Sequence, residues 1–480
     1  MRRLLVTGGA GFIGANFVRY WHQHHPEDRL VILDALTYAG NPANLDGCRA
    51  APAVRLIQGD ICERSLVDRV LADEQIDTIV HFAAESHVDR SIHGPDAFIQ
   101  TNVVGTHTLL AAAKAAWLDA APPASSVRFH HVSTDEVYGT LGPTDRPFTE
   151  RTAYAPNSPY AASKAGSDHL VRAYHHTFGL PTTVTNCSNN YGPYQFPEKL
   201  IPLMVINALT GKPLPVYGDG SNIRDWLHVD DHCRGIEQVL ARGQAGEVYG
   251  TLGPTDRPFT ERTAYAPNSP YAASKAGSDH LVRAYHHTFG LPTTVTNCSN
   301  NYGPYQFPEK LIPLMVINAL TGKPLPVYGD GSNIRDWLHV DDHCRGIEQV
   351  LARGQAGEVY NIGGNNELRN LDVVQALCST VDQLFAEDPG LAERFPNAPA
   401  AQGRPSAGLI RFVTDRKGHD WRYAIDATKI RDALGYVPRE TFASGLAKTC
   451  HWYLDHEPWW QAVLDGRYRD WIATNYVDAP

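Results

Sequence analysis

Apolar residues fall in short runs suited to strands, each followed by a longer stretch with apolar positions at helical intervals. Leu4-Leu5-Val6 predicts a strand. Thr7-Gly8-Gly9-Ala10-Gly11-Phe12-Ile13-Gly14 predicts a glycine turn running into a helix, along which Phe17, Val18 and Trp21 recur at helical spacing. Further strands are predicted over 30–33, ending in Asp34; over 54–57, ending in Gly59-Asp60-Ile61; over 78–82, ending in Ala83-Ala84; and over 127–132, ending in Ser133-Thr134. This alternation predicts an α/β fold, a doubly wound parallel sheet of Rossmann type with a smaller C-terminal substrate domain. The polar residues of interest collect at strand C-terminal ends, where an open parallel sheet places its ligand crevice.

A perfect internal repeat interrupts the pattern. Glu136 to Tyr249 is identical to Glu247 to Tyr360 at an offset of 111, and both copies start and end on Glu-Val-Tyr. Solenoid repeats are short and imperfect, so this is a duplication rather than an array. The repeat lacks the glycine turn, so the second copy is no independent dinucleotide-binding domain. Only the first occurrence follows Ser133-Thr134 and keeps the acidic pair Asp135-Glu136; the second follows Gln244-Ala245-Gly246.

At 480 residues more than one domain is expected. The balance of 20% charged and 43% hydrophobic residues with net charge -10 provides no basic patch, which argues against nucleic acid as a partner. Eight cysteines without C-x-x-C spacing suit reduced thiols and a cytoplasmic setting. No apolar run of signal-peptide or membrane-spanning length occurs, so neither export nor membrane insertion is expected.

Glycines at 8, 11 and 14 allow the backbone close to a pyrophosphate, whose charge meets the amides at the helix N-terminus. Asp34 stands 20 residues beyond Gly14, where its carboxylate can accept both ribose hydroxyls, and with no arginine beside it NAD is favoured over NADP. Tyr160 and Lys164, four apart after Pro159, share one helix face. The cation is expected to lower the phenol pKa, so that the tyrosine acts as a base toward a sugar hydroxyl. Asp135 and Glu136 supply the acid and base that removing water from a sugar requires once a ketone has acidified the neighbouring C–H. Paired histidines such as His24-His25 and His175-His176 lack partners for a metal, and no metal is expected.

Six motifs together resemble the dTDP-glucose 4,6-dehydratases of the extended short-chain dehydrogenase/reductase family. They are Thr7 to Gly14, Leu36-Thr37-Tyr38-Ala39-Gly40-Asn41, Ala83-Ala84-Glu85-Ser86-His87-Val88-Asp89-Arg90-Ser91, Ser133 to Gly139, Tyr160 to Lys164, and Asn186 to Pro193. The resemblance implies dehydration of dTDP-glucose to the 4-keto-6-deoxy sugar nucleotide. Tyr160 would act at the C4 hydroxyl, held by Thr134, with Glu136 at C5 and Asp135 at the C6 hydroxyl. It also implies that Gly8, Gly11, Phe12, Ile13, Gly14, Asp34, Thr37, Asp60, Ile61, Phe82, Ala83, Ala84, Ser86, Thr101, Tyr160, Lys164 and Asn190 hold NAD. Ser86, Thr134, Asn189, Lys199, Leu200, Pro215, Tyr217, Arg224, Asn361 and His419 would hold the nucleotide sugar, Arg224 facing the diphosphate through a bidentate guanidinium. Around His419 the family's usual proline is replaced by Lys417. A homodimer is the expected assembly. Another sugar-nucleotide dehydratase, an epimerase, or an inactive duplication product are the alternative readings.

Tyr160, Lys164, Asn189, Lys199 and Arg224 have twins in Tyr271, Lys275, Asn300, Lys310 and Arg335, and one fold is expected to use one set. Leaving copy one near 241–244 and resuming near Gln355 keeps Tyr160 on a short connection from Asp135 and Glu136, which favours copy one. The expected domains are then 1–187 for NAD, 188–243 with 355–480 for the rest of the sheet and the substrate, and 244–354 as surplus. That surplus carries an apolar strand at 293–295 with no sheet to cover it, so aggregation, segment exchange or proteolysis is expected.

Overall fold

Successive side chains of β1 (Arg3–Thr7) alternate between two apolar layers, as the two-residue period of a strand requires. The computed structural model describes residues 1–120, 126–142, 145–150, 152–216, 219–246, 258–415 and 420–464. It divides into two units: Met1–Gly250 with Ala264–Leu291, and Thr251–Thr263 with Pro292–Pro480.

The first unit is built on α1 (Phe12–His24), β2 (Arg29–Asp34), β3 (Val54–Gln58), α2 (Arg64–Asp73), β4 (Thr78–His81), α3 (Val88–His93), α4 (Pro95–Phe98), α5 (Thr106–Trp117), β5 (Arg128–Thr134), α6 (Pro159–Phe178) and β6 (Thr182–Cys187). After them come β7 (Asn189–Tyr191), α7 (Leu200–Leu209), β8 (Trp226–His228), α8 (Val229–Arg242) and α9 (Pro270–Phe289). Six strands pair in parallel in the order β3-β2-β1-β4-β5-β6. The order reverses between β1 and β4, the switch point at which such sheets open a crevice. Leu4, Val6, Leu30 and Ile32 pack under Phe17 and Val18 of α1 and Ile236 of α8. Leu5, Val31, Leu33 and Ile79 pack under Val67 of α2, Leu109 of α5 and Val171 of α6. Each such aliphatic side chain contributes about 1.5–3 kcal/mol when fully buried.

The second unit contains β9 (Val295–Cys298), β10 (Asn300–Tyr302), α10 (Leu311–Thr321), β11 (Leu325–Tyr328), β12 (Ile334–His339), α11 (Val340–Arg353), β13 (Val359–Ile362), β14 (Glu367–Arg369) and α12 (Asn370–Glu387). Its later elements are α13 (Gly390–Arg394), β15 (Ile410–Val413), β16 (Arg422–Tyr423), α14 (Thr428–Leu434), α15 (Phe442–Asp455) and α16 (Glu457–Leu464). Its core joins Met315 and Ile317 of α10 to Val374 and Leu377 of α12 and Leu446 and Tyr453 of α15.

The copies share the fold differently from the expected single hand-over. Copy one supplies α6, β6 and α8 to the first unit, whereas β13 pairs in parallel with β9 of copy two, from Val359↔Val295 to Ile362↔Cys298. Residues 244–354 are therefore not set apart as one surplus block: α9 lies in the first unit and everything from Pro292 in the second. The strand expected to find no partner finds one, because β13 presents an edge with the complementary alternation.

Candidate active site

The glycine turn after β1 is closed too tightly for side chains. Gly8 has φ +67°, and a Cβ there would sit 2.6 Å from the Ala83 amide nitrogen; a Cβ on Gly14 would meet the Gly8 carbonyl oxygen at 2.3 Å. Gly11 precedes α1 with no side-chain cap, so the helix start presents backbone amides to an incoming anion. Phe12 and Ile13 open that helix. At the end of β2, Asp34 is buried and accepts from the Ala10 amide at 2.9 Å and the Leu36 amide at 2.8 Å. A carboxylate has about four acceptor positions, so two remain for hydroxyl groups. The cradle, the uncapped helix start and this carboxylate fit a dinucleotide.

The other residues assigned to the cofactor are distributed around the same sheet end. Thr37 closes the loop over Asp34 through its carbonyl, which accepts from the Gly40 amide at 3.1 Å. Asp60 accepts from the Cys62 amide at 2.8 Å, and Ile61 is buried. Phe82, Ala83 and Ala84 follow β4, and Ser86 hydrogen-bonds the Tyr38 phenol. Thr101 stands half-buried in the π-helical turn Ile99–Gly105. Beside it, Asn102 donates to the Glu85 carbonyl at 3.0 Å and the Ser163 hydroxyl at 2.8 Å, tying the loop after β4 to α6. Asn190 donates to the Ser188 carbonyl at 2.9 Å and lies 2.9 Å from the His232 ring.

The side chains expected to take part in the reaction converge at the end of β5. Thr134 caps the 3-10 turn Asp135–Tyr138 by accepting from the Glu136 amide at 3.2 Å, and its hydroxyl also hydrogen-bonds Tyr160. Burial raises the Asp135 pKa, opposed by the Thr134 hydrogen bond. Burial also raises that of Glu136; the charge on Asp135 adds to this, and Arg224 and Lys199 oppose it. Both carboxylates act on the Tyr160 phenol, so the dyad faces the tyrosine rather than away from it.

The expectation that Lys164 lowers the phenol pKa is corrected. Burial, then the Glu136 carboxylate, push Tyr160 well above the usual tyrosine value, and the Thr134 hydrogen bond works against them. Lys164 instead donates to the Val132 carbonyl at 2.9 Å and lies 3.4 Å from the His131 ring. Desolvation lowers its pKa, and the Asp168 carboxylate counteracts that.

Sequence reasoning missed Asp168. It accepts from Ser133 at 2.7 Å and Tyr154 at 3.0 Å and lies 3.1 Å from His131. Burial lifts its pKa to about 6 against the opposing Lys164 charge and these hydrogen bonds. Its position, one further helical turn along the face of Tyr160 and Lys164, was the available signal.

The residues expected to hold the nucleotide sugar are brought together only in part. Lys199 and Arg224 both act on Glu136, Lys199 being half-buried at the start of α7 and Arg224 exposed. Asn189 donates its amide to the Asp225 carbonyl at 3.1 Å. Leu200 and Pro215 are exposed. Asn361 belongs to the second unit, where it donates to the Phe259 and Asp426 carbonyls, each at 3.2 Å. Tyr217 and His419 lie outside the described residues. Among the twins, Tyr271 and Lys275 are exposed on α9, whereas Arg335 is buried in the second unit and donates to the Asp420 carbonyl at 2.8 Å.

The family model described as GDP-mannose 4,6 dehydratase matches residues 5–246 and again 244–449. The chain belongs to this family. The two matched stretches together run from residue 5 to residue 449. Relatives within reach include the dTDP-glucose 4,6-dehydratase of Neisseria meningitidis serogroup B, 43% identical over 470 residues and 98% of each chain. Another is dTDP-glucose 4,6-dehydratase 1 of Escherichia coli K12, 41% identical over 476 residues and 99% of each. Among solved structures, DesIV, a dTDP-glucose 4,6-dehydratase of Streptomyces venezuelae with NAD and TYD bound, is 38% identical, covers 96% of this chain and 99% of its own, and superposes with a TM-score of 0.34.

Proposed function

We propose that this chain dehydrates dTDP-glucose to dTDP-4-keto-6-deoxyglucose, holding NAD on the glycine turn of the first unit. The observation that carries the reading is the convergence of Thr134, Asp135, Glu136 and Tyr160 at the end of β5, together with relatives of that name at 43% identity over 98% of the chain. When bound, NAD would accept the hydride from C4 and, once water has left, return it to C6 as a proton returns to C5, so that C4 stays a ketone and the cofactor is regenerated.

Tyr160 receives the C4 hydroxyl proton, with Thr134 holding that hydroxyl. The Glu136 carboxylate opposes ionisation of the phenol, and the Thr134 hydrogen bond favours it. With C4 as a ketone, Glu136 takes the C5 proton and Asp135 gives its proton to the C6 hydroxyl, which leaves as water. Burial raises both pKa values, which suits one group to stay protonated while the other ionises. Lys199 and Arg224 supply positive charge for a diphosphate in this reading.

The nucleotide sugar is thus the partner, and a second copy of the chain is the other. Among the described residues no helix is long and apolar enough to cross a membrane. A cytoplasmic setting is part of this reading, supported by eight cysteines without C-x-x-C spacing. Incubating the purified chain with dTDP-glucose is expected to yield a 4-keto product 18 mass units lighter than the substrate. Asp135→Asn and Glu136→Gln should each slow its formation by about 10²–10⁴-fold. A product of unchanged mass would identify an epimerase, and a chain that retains NAD without conversion would identify an inactive product of the duplication.

A further inference from the structure

A buried carboxylate ties the helix that carries Tyr160 to the strand that carries Thr134. Tyr160, Lys164 and Asp168 follow at intervals of four on α6, so they share one face and span about 12 Å of helix. Each of the three meets β5. The Thr134 hydroxyl hydrogen-bonds the Tyr160 phenol, and Lys164 donates to the Val132 carbonyl at 2.9 Å. Asp168 Oδ2 accepts from the Ser133 hydroxyl at 2.7 Å, and Asp168 Oδ1 lies 3.1 Å from His131 Nε2.

Two further groups close this clamp. Asn186, which stands opposite Ser133 in the register of β5 and β6, donates to the Thr134 carbonyl at 3.2 Å and to Asp168 Oδ2 at 3.5 Å. The Tyr154 hydroxyl donates to the same oxygen at 3.0 Å. Asp168 therefore holds the residue before Thr134 and shares Asn186 with the Thr134 carbonyl. A single contact would leave the helix free to turn about it, whereas contacts two turns apart fix its rotation on the strand as well. Any slide of Thr134 away from the phenol strains the bonds at Asp168.

Packing alone does not call for a carboxylate here. Ser133 and Asp168 are 3% and 4% exposed, and burial works against the ionised group, lifting its pKa to about 6. An apolar side chain would hold the helix on the sheet without that penalty. It could not accept from Ser133, Tyr154 and Asn186 at once.

We propose that Asp168 is a positioning residue for proton transfer at Tyr160: through Ser133 it sets the end of β5 so that the Thr134 hydroxyl stays on the phenol. Its effect on turnover rests on the dehydratase reading above, and its effect on the phenol does not.

The full-length chain tests both effects. With tyrosine isotopically labelled at Cζ, the magnetic resonance signal lost in Tyr160→Phe reports the hydrogen bond of that phenol without substrate. Asp168→Ala is expected to move this signal in the direction that Thr134→Val does, and a signal left in place would overturn the proposal. In turnover of dTDP-glucose, Asp168→Ala should lower kcat by about 10²-fold and change KM by less than about twofold. On a Thr134→Val background the same substitution should cost less than about twofold more, since the hydroxyl it positions is gone. A full and independent loss on that background would mark Asp168 as structural only and refute the role. If Asp168→Ala does not fold, Ser133→Ala, which removes one hydroxyl and the bond beside Thr134, takes its place in each measurement with the same expected and refuting results. If no substrate turns over while the signal moves, the dehydratase reading falls and the clamp stands.

Discussion

Tyr160 and Tyr271 have identical neighbours in sequence and opposite surroundings in space: the first is 9% exposed, the second 76%. Only the first lies where Glu136 and Thr134 act on its phenol. Tyr160→Phe is therefore expected to lower turnover of dTDP-glucose by about 10²–10⁴-fold, whereas Tyr271→Phe should leave it unchanged. A loss confined to the Tyr271 variant, in side-by-side initial rates, would place the chemistry on copy two. The acidic dyad and the tyrosine were legible because their residue types at a strand end and a helix start announce proton transfer. Asp168 was not, because a carboxylate four residues from a lysine reads as a surface pair until burial brings Ser133, Tyr154 and His131 around it.

Identical elements also keep their local form. Ser158 caps α6 by accepting from the Ala161 amide at 3.1 Å, and Ser269 caps α9 from the Ala272 amide at 3.2 Å. Both helices end at a glycine of positive φ, Gly179 and Gly290. Burial then separates the copies. In α7 no residue is buried, whereas the same sequence in α10 buries Ile312, Met315, Val316 and Ile317 against α12 and α15. Ile317→Ala should cost about 2–5 kcal/mol in chemical denaturation, and its twin Ile206→Ala less than about 0.5 kcal/mol. Equal costs in the two variants would contradict this division of the repeat.

For the whole molecule, the first unit buries histidines that must stay neutral. Desolvation lowers His81, His131 and His169 well below their usual value, His130 to about 3 and His280 to about 4. The unfolded chain takes up these protons near pH 6.5 and the folded one does not, so stability is full above that pH and falls as the pH drops below it. Asp168 acts oppositely: with its pKa raised to about 6, its contribution is present at low pH and is lost as the pH rises through that value. The histidines outnumber it, so the thermal midpoint should fall between pH 7 and pH 5. A midpoint that holds or rises across that interval would show that these rings are not buried neutral.

Sequence alone determined the alternation of strand and helix, the glycine turn, the carboxylate at the end of β2, and the acidic pair after β5, because each is a short-range relation between neighbouring residues. It could not determine which copy of the repeat serves where, since identical sequences carry identical propensities, caps and periodicity. Only the tertiary structure decided that, through which apolar face each copy found: β6 took the edge of β5, β9 that of β13, α10 entered the second core, and α9 settled on its own twin. The choice rests on burial against distant partners, a quantity that no local window contains.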